Sequence, residues 1–254
     1  MIRVGVNGAA GRMGTTVLET AGEREDCVPV LGIDVDEGDA DADVPVVDPG
    51  GTADAIATHD PDVIVDFSVP ESTVELARSC AETGTGLVVG TTGFDEAELE
   101  ALRETSELLP VLKAANFSRG IQALLRALEP ALEALEGYDL ELLETHHNGK
   151  RDAPSGTAKT ILETVGEHRE FETVYGREGI QPRQEGEGEV GVLVRRAGNV
   201  RGEHEITLAD NDEVLTIAHR AEDRAVFAAG ALDAAVWLAD RGAGWYSFGE
   251  VIDA

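Results

Sequence analysis

Lysine is nearly absent from this chain of 254 residues: it occurs at Lys113, Lys150 and Lys159 only, against seventeen arginines. Positive charge of any kind is scarce. The 20 Lys and Arg face 50 Asp and Glu, for a formal net charge of −30. A surface of that sign repels phosphate backbones and anionic head groups, which argues against nucleic-acid and membrane-surface partners. Aromatics amount to 4%, and no apolar run reaches the length needed to span a bilayer. No basic stretch followed by an apolar one precedes the first apolar strand, so the expected location is cytoplasmic. The two cysteines, Cys27 and Cys80, lie in different segments without metal-type spacing. They are expected as reduced, partly buried thiols.

What is present suffices for folding. Hydrophobic residues make up 42% of the chain, enough for one large core or two modest ones. The acids are spread among apolar segments rather than gathered in a tail, so they read as a solvated shell and not as a disordered chain. Such a shell suits a protein working in concentrated salt, where the Debye length falls to about 3 Å and self-repulsion is screened.

Strand-like and helix-like segments alternate over the first 117 residues. Ile2 to Val6 reads as a strand, Arg12 to Ala21 as a helix, Val28 to Val35 as a strand and Asp36 to Thr52 as an acidic, Gly/Pro-punctuated loop. A buried strand over Asp62 to Ser68, a helix from Pro70 to Gly84, a strand and turn over 86–93, a helix over 95–107 and a strand over 110–117 follow. That order predicts a parallel sheet with right-handed crossovers. After Phe117 the pattern changes. A helix (119–135), a strand ending "ETHH", a helix from near Ser155 and three strand-like runs with turns between them predict a second, mainly antiparallel sheet. A last long helix spans 222–239 and fits either domain. The division expected is 1–117 plus 222–254, and 118–221.

The stretch "GAAGRMG" places Gly8, Gly11 and Gly14 between the first strand and the first helix. Glycines there let the backbone approach a pyrophosphate, whose charge meets free N–H groups at the helix N-terminus. The spacing is G-x-x-G-x-x-G rather than G-x-G-x-x-G, so the position carries the signal more than the pattern does. Arg12 can add a charge. Of the acids ending the second strand, Asp34 sits within it and Asp36 follows its last apolar residue, so Asp36 is preferred for the adenosine ribose. Glu37 comes next, where a 2′-phosphate reader would often carry arginine. "GTTG" (90–93) and "AANF" (114–117) follow later strands, at the carboxyl ends where an open α/β sheet binds its ligand.

"ETHHNGKRDAPSGTA" (144–158) is the densest cluster of reactive side chains. Adjacent residues of an extended strand point to opposite faces, so His146 and His147 do not readily share a metal ion, and no metal site is expected. The chain lacks G-x-S-x-G, so Ser155 reads as a helix cap rather than a nucleophile. What remains is an anion site: Lys150 supplies charge, and Ser155, Gly156 and Thr157 supply donors at a helix N-terminus. A neighbouring histidine can move a proton near neutral pH. His204 is expected to support the sheet, and His59, His168 and His219 read as ordinary surface or satisfied polar residues.

The same stretch meets in full the pattern E-x-H-H-x-x-K-x-D-x-P-S-G-T-A of the dihydrodipicolinate reductases. "VNGAAGRMG", "VIVDFSVPEST", "VVGTTGF", "AANFSRG" and "RAGNVRGEHEI" also resemble that family's motifs in order, so the resemblance covers nearly the whole chain. It implies a Rossmann-like cofactor domain plus an α+β substrate and oligomerisation domain with an open mixed sheet. The implied activity is reduction of 4-hydroxy-tetrahydrodipicolinate in the diaminopimelate route to lysine. His146 would be the general acid/base and Lys150 the proton donor. His147, Ser155, Gly156 and Thr157 would hold the substrate's carboxylates. NADH or NADPH would be lined by Gly8, Ala9, Ala10, Gly11, Arg12, Met13, Asp36, Gly90, Thr91, Thr92, Ala114, Ala115, Asn116 and Phe117. Family members are commonly homotetramers joined through the second domain's sheets. The alternatives are a related imine or amino-acid dehydrogenase on the same scaffold, and a non-catalytic nucleotide-binding regulator.

The charge of −30 sets an expectation for salt. Self-repulsion at low ionic strength should weaken both fold and assembly, so melting temperature should climb from dilute buffer into molar KCl. A thermal scan across KCl concentrations checks this, and a flat or falling melting temperature would remove the salt-adapted reading.

Overall fold

The computed structural model describes residues 1–36, 44–183 and 188–254. Glu37, considered above, and residues 184–187 of the Gly/Glu-rich loop lie outside the described residues. The chain forms two compact units, Met1–Phe117 with Arg224–Ala254, and Ser118–Asp223.

The first unit begins β1 (Ile2–Asn7), α1 (Arg12–Gly22), β2 (Cys27–Ile33), β3 (Val46–Val47), a 3-10 turn (Pro49–Gly51) and α2 (Thr52–His59). It continues β4 (Val63–Asp66), α3 (Pro70–Thr83), β5 (Gly86–Val89), α4 (Glu96–Ser106) and β6 (Pro110–Lys113). Every residue of β4 and β5 is buried, as a parallel sheet covered on both faces requires. Helix ends follow local chemistry. Pro70 opens α3 and Gly84, at φ +75°, closes it. Asp95 and Glu98 form a capping box on α4.

The second unit runs α5 (Arg119–Ala134), β7 (Asp139–His146), α6 (Gly156–His168), β8 (Glu172–Tyr175), β9 (Glu189–Arg196), β10 (Gly202–Asp210) and β11 (Glu213–Ala221). Its strand order is β11-β10-β7-β9-β8. Here the expectation of a mainly antiparallel sheet is corrected. β10 is antiparallel to β7 and β11, but β9 is parallel to both β7 and β8. The chain leaves β7 through α6, a crossover that returns it to the same end of the sheet, and the connection from β8 to β9 is long enough for the same return. Leu140, Leu142, Val190, Val192, Ile206 and Leu208 pack on Leu124, Leu128 and Leu132 of α5 and Ala158, Ile161 and Val165 of α6. The opposite face of this sheet carries Leu143, Leu193, Arg195 and Glu205.

The chain then rejoins the first unit as α7 (Ala225–Leu238), β12 (Gly244–Tyr246) and α8 (Phe248–Ile252). The completed sheet is seven-stranded, in order β12-β6-β5-β4-β1-β2-β3, with parallel pairing throughout. α1 and α7 cover one face, with Val4, Val6, Val65, Val88 and Leu112 beneath them. α2, α3 and α4 cover the other, over Leu31, Ile33, Ile64, Leu87 and Val111. Both cysteines are buried and free. The loop expected over 36–52 contains β3 and the 3-10 turn and runs into α2, and β12 and α8 are elements that periodicity did not reveal. The strand expected to reach Phe117 stops at Lys113.

Helix α7 is apolar on nearly all sides and sits close to the chain that leaves β6. A Cβ at Gly230 would lie 1.8 Å from the Phe117 carbonyl oxygen, closer than any side chain can sit. Arg24, after α1, pairs with Asp233 of α7 at 2.9 Å. Gly230→Ala should therefore destabilise the protein by about 1–3 kcal/mol through overpacking. Gly22→Ala, where a Cβ meets nothing within 4 Å, should be silent. Urea unfolding of the two variants separates these outcomes.

Candidate functional site

Alternation along β7 aims Glu144 and His146 at the helix-covered face, beside His204 of β10, whose backbone pairs with Glu144. Glu144 is fully buried. Its Oε1 accepts the Ser155 N–H at 2.9 Å and an Arg196 N–H at 3.0 Å. Its Oε2 lies 2.5 Å from His146 Nδ1, without the alignment of a hydrogen bond. Burial by itself would raise the Glu144 pKa. His146, Arg196 and the Ser155 N–H outweigh it and hold the carboxyl at about 2.

Ser155 caps α6, its Oγ accepting the Ala158 N–H at 3.2 Å. The same hydroxyl lies 3.1 Å from His204 Nε2. Both polar groups of Ser155 are thus engaged within the protein, and Gly156 and Thr157 form the first turn of α6 beyond it. His204 packs edge-on against His146, ring centroids 5.2 Å apart. Burial and the neighbouring His146 push the His204 pKa down to about 3, so its ring is neutral across the physiological range. A Cβ at Gly202 would stand 3.2 Å from His146 Nε2, so glycine there leaves the ring its space.

The turn between β7 and α6 is drawn in by two cations. Arg196 donates to the Asp152 carbonyl at 2.6 Å as well as to Glu144. Lys150 Nζ pairs with Asp152 Oδ1 at 2.8 Å, and the Lys150 N–H donates to the His147 carbonyl. Lys159 is exposed on α6. Ligand-type atoms of Glu144, His146 and His204 all lie within 4.8 Å of one another. The sequence argument against a metal concerned His146 with His147, and this is a different trio. The Arg196 guanidinium already supplies the cation to Glu144, and Ser155 engages His204.

The first unit holds the glycine loop. Gly8 takes φ +76°, and a Cβ there would be 2.7 Å from the Phe67 carbonyl oxygen. A Cβ at Gly14 would be 2.0 Å from the Gly8 carbonyl oxygen. The Gly8 and Ala9 N–H groups donate to the Ile33 carbonyl, Gly11 N–H to the Gly8 carbonyl, and Ala10 N–H to Asp34 Oδ2. The first four amides of the loop are thus occupied. Gly11, the N-cap, has no side chain to offer α1. The N–H groups of Arg12 and Met13 are left without a protein acceptor among the described residues, a ready anion site. Asp34 also accepts the Asp36 N–H, which leaves the Asp36 carboxylate exposed at the strand end.

Gly90 lies under the Phe67 ring, where a Cβ would be 2.1 Å from Cε1. Thr91 is buried and Thr92 exposed. Ala114 and Asn116 are half-buried and Ala115 exposed. Phe117 is buried in the core, edge-on to Phe67 and Phe248, so its ring packs rather than lines. His219, read from the sequence as ordinary, is half-buried 3.1 Å from Ser118 Oγ, at the N-cap of α5. Sequence reasoning also passed over Glu144 and Arg196 as site residues. Glu144 stands inside the quoted motif; Arg196 reaches it only through the pairing of β9 with β7.

The family model described as dihydrodipicolinate reductase, N-terminus, matches residues 2–117, and that described as dihydrodipicolinate reductase, C-terminus, matches residues 120–252. The chain is 56% identical over 254 residues to a 4-hydroxy-tetrahydrodipicolinate reductase of Haloarcula marismortui, covering 100% of both chains. It is 52% identical to one of Natronomonas pharaonis, over 99% of this chain and 100% of that one. Among solved structures, dipicolinate-bound dihydrodipicolinate reductase from Paenisporosarcina sp. TG-14 superposes with a TM-score of 0.76 at 25% identity, over 97% of each chain.

The buried neutral His204 makes the site acid-sensitive. The unfolded chain takes up this proton near the ordinary 6.5 and the folded chain only near about 3. Between those values the unfolded state binds more protons, so stability falls as pH falls. Glu144, ordinarily near 4.5 and held at about 2, extends the loss through that lower window. Melting temperature in molar KCl should drop steadily below about pH 6.5, and His204→Gln should flatten the upper part of that slope. An unchanged slope in a folded His204→Gln variant would contradict the assignment.

Proposed function

The chain belongs to the dihydrodipicolinate reductase family, and from that premise we infer that it reduces 4-hydroxy-tetrahydrodipicolinate to tetrahydrodipicolinate with a nicotinamide cofactor. One observation carries the reading at the level of the site. A single carboxylate, Glu144, holds both the proton-transfer ring of His146 and the N–H that begins α6, so an acid/base and an anion-binding helix end sit side by side.

The residues present fit a dinucleotide. The uncapped start of α1 suits a pyrophosphate, and Gly8, Gly14 and Gly90 occupy points where a Cβ would collide with backbone or ring. Gly8 to Met13, Asp36, Gly90 to Thr92 and Ala114 to Asn116 would hold it, with Phe117 setting the backbone through its place in the core. When bound, the nicotinamide supplies the hydride. The chain's own residues do the rest. Gly156 and Thr157 present the start of α6 to one carboxylate of the substrate, and His147 with Lys150 meet the other end. Lys150, released from Asp152 by the incoming anion, gives the proton. His146, steadied by Glu144, acts as the general acid/base that returns a proton to Lys150. In a chain of charge −30, this local concentration of donors is what admits a dianion.

The neighbour's bound dipicolinate supports a small cyclic dicarboxylate as the ligand class. A homotetramer assembled through the open face of the second sheet completes the reading, supported by Leu193 standing 45% exposed there. No helix among the described residues is long and apolar enough to cross a membrane. A cytoplasmic, salt-adapted enzyme is the proposal that accords with the charge.

Oxidation of the reduced cofactor on adding freshly generated substrate, followed by absorbance in molar KCl, tests the activity. NADH should serve at least as well as NADPH, because the exposed Asp36 carboxylate stands where a 2′-phosphate would lie. A clear NADPH preference in kcat/KM would overturn that choice. Lys150→Arg should lower kcat by about 10²-fold or more while KM for the dicarboxylate changes little, since a guanidinium keeps the charge but cannot release a proton. Lys150→Met should lose both, and Lys159→Arg should be silent. Near-normal kcat in Lys150→Arg would assign the position to charge alone.

A further inference from the structure

The first unit contains a second buried carboxylate that the mechanism does not use. Asp66, the last residue of β4, is fully buried. Its Oδ1 accepts from Asn7 Nδ2 at 2.7 Å and Ser68 Oγ at 2.6 Å. Its Oδ2 accepts from Thr73 Oγ1 at 2.7 Å and Thr91 Oγ1 at 2.6 Å. These four donors use the acceptor sites a carboxylate has. No cation pairs with Asp66 among the described residues, and burial pushes its pKa above the ordinary carboxylate value against the pull of the four donors.

The donors come from separate places in the chain. Asn7 ends β1 and immediately precedes Gly8. Ser68 follows β4, Thr91 belongs to the turn after β5, and Thr73 lies in the first turns of α3. The donors also bind one another. Asn7 Nδ2 reaches Ser68 Oγ at 2.9 Å and Ser72 Oγ at 3.1 Å, and Thr91 Oγ1 accepts the Ser68 N–H at 2.9 Å. The Thr91 hydroxyl thus turns inward to the carboxylate, which fixes the backbone of Gly90 to Thr92. A buried anion without a counter-charge is a poor way to gain stability, since an apolar residue of like size avoids its desolvation. What the carboxylate offers instead is a fixed spacing between the loops that supply its donors.

We propose that Asp66 is the positioning residue of the cofactor cleft: it sets the Gly90–Gly93 turn against the Gly8–Gly14 loop and thereby sets affinity for the dinucleotide. The proposal rests on the cofactor reading above. It predicts an effect on binding that exceeds, and is separable from, any effect on stability.

The test is NADH binding by fluorescence titration in molar KCl, alongside thermal unfolding and steady-state kinetics, on wild type, Asp66→Asn, Thr91→Val and Thr73→Val. In Asp66→Asn an amide N–H₂ faces two donors, so the loops part. Kd for NADH should rise about 10-fold or more, with kcat at saturating NADH within about 3-fold of wild type, because a small misplacement of a binding group is enough. Thr91→Val, which removes the hydroxyl's links to Asp66 and to the Ser68 N–H, should raise Kd without changing KM for the dicarboxylate. It also decides the question if Asp66→Asn does not fold. Thr73→Val removes a donor of equal quality from α3, away from the loops, and should lower the melting temperature while leaving Kd alone. Wild-type Kd in Asp66→Asn or in Thr91→Val overturns the proposal, as does a rise in Kd for Thr73→Val that matches the others. If wild type binds neither NADH nor NADPH, the cofactor reading fails and this inference with it.

Discussion

The second unit depends on one buried carboxylate. Glu144 has no access to solvent and is ringed by His146, Arg196 and the Ser155 N–H. An isolated carboxylate in that position would take up a proton or leave. With these partners it stays ionised, and each partner is in turn fixed by it. The direction of the His146 ring, the start of α6 and the turn carrying Lys150 are therefore set together. Moving one moves the others. Arg196 extends the arrangement by bonding the Asp152 carbonyl, so the loop between β7 and α6 is pinned at both ends.

The first unit solves a similar problem without a cation. Asp66 stands at the carboxyl end of its sheet as Glu144 stands near the end of β7, and both collect donors from loops distant in sequence. The difference is in what each faces. Glu144 lies against an imidazole ring and the N–H that begins a helix. Asp66 meets only hydroxyls and an amide, and so organises backbone. Acidic residues are abundant on this surface, yet among the described residues Asp66 and Glu144 are fully buried.

Much of this was legible before folding was known. The alternation of apolar runs with helical stretches shows the parallel sheet because each run is short and bounded by Gly or Pro. The glycine loop is legible because its constraint is local. The two-residue β3 and the eight-residue α2 were not, being too short to show a period between Gly/Pro punctuation. The periodicity of the second unit suggested a mainly antiparallel sheet because strand direction depends on α6 crossing over, which composition does not encode; the open mixed sheet was implied by the family resemblance alone. Phe117 stands in a motif that suggested cofactor contact, but its ring lies between Phe67 and Phe248: a motif names a position and not a direction. Glu144 was quoted and passed over because its partners arrive from β9 and α6. His204 read as sheet support, and its place against His146 and Ser155 emerges only from the register of β10 on β7.

Glu144→Gln probes the central dependence most directly, since it keeps the shape and removes the charge. In a variant shown to be folded by circular dichroism and by unchanged NADH affinity, kcat should fall by about 10²-fold and KM for the dicarboxylate should rise by about 10-fold, because ring and helix end lose their common anchor together. A folded Glu144→Gln enzyme with kcat and KM both within about 2-fold of wild type would contradict the claim that this carboxylate organises the site.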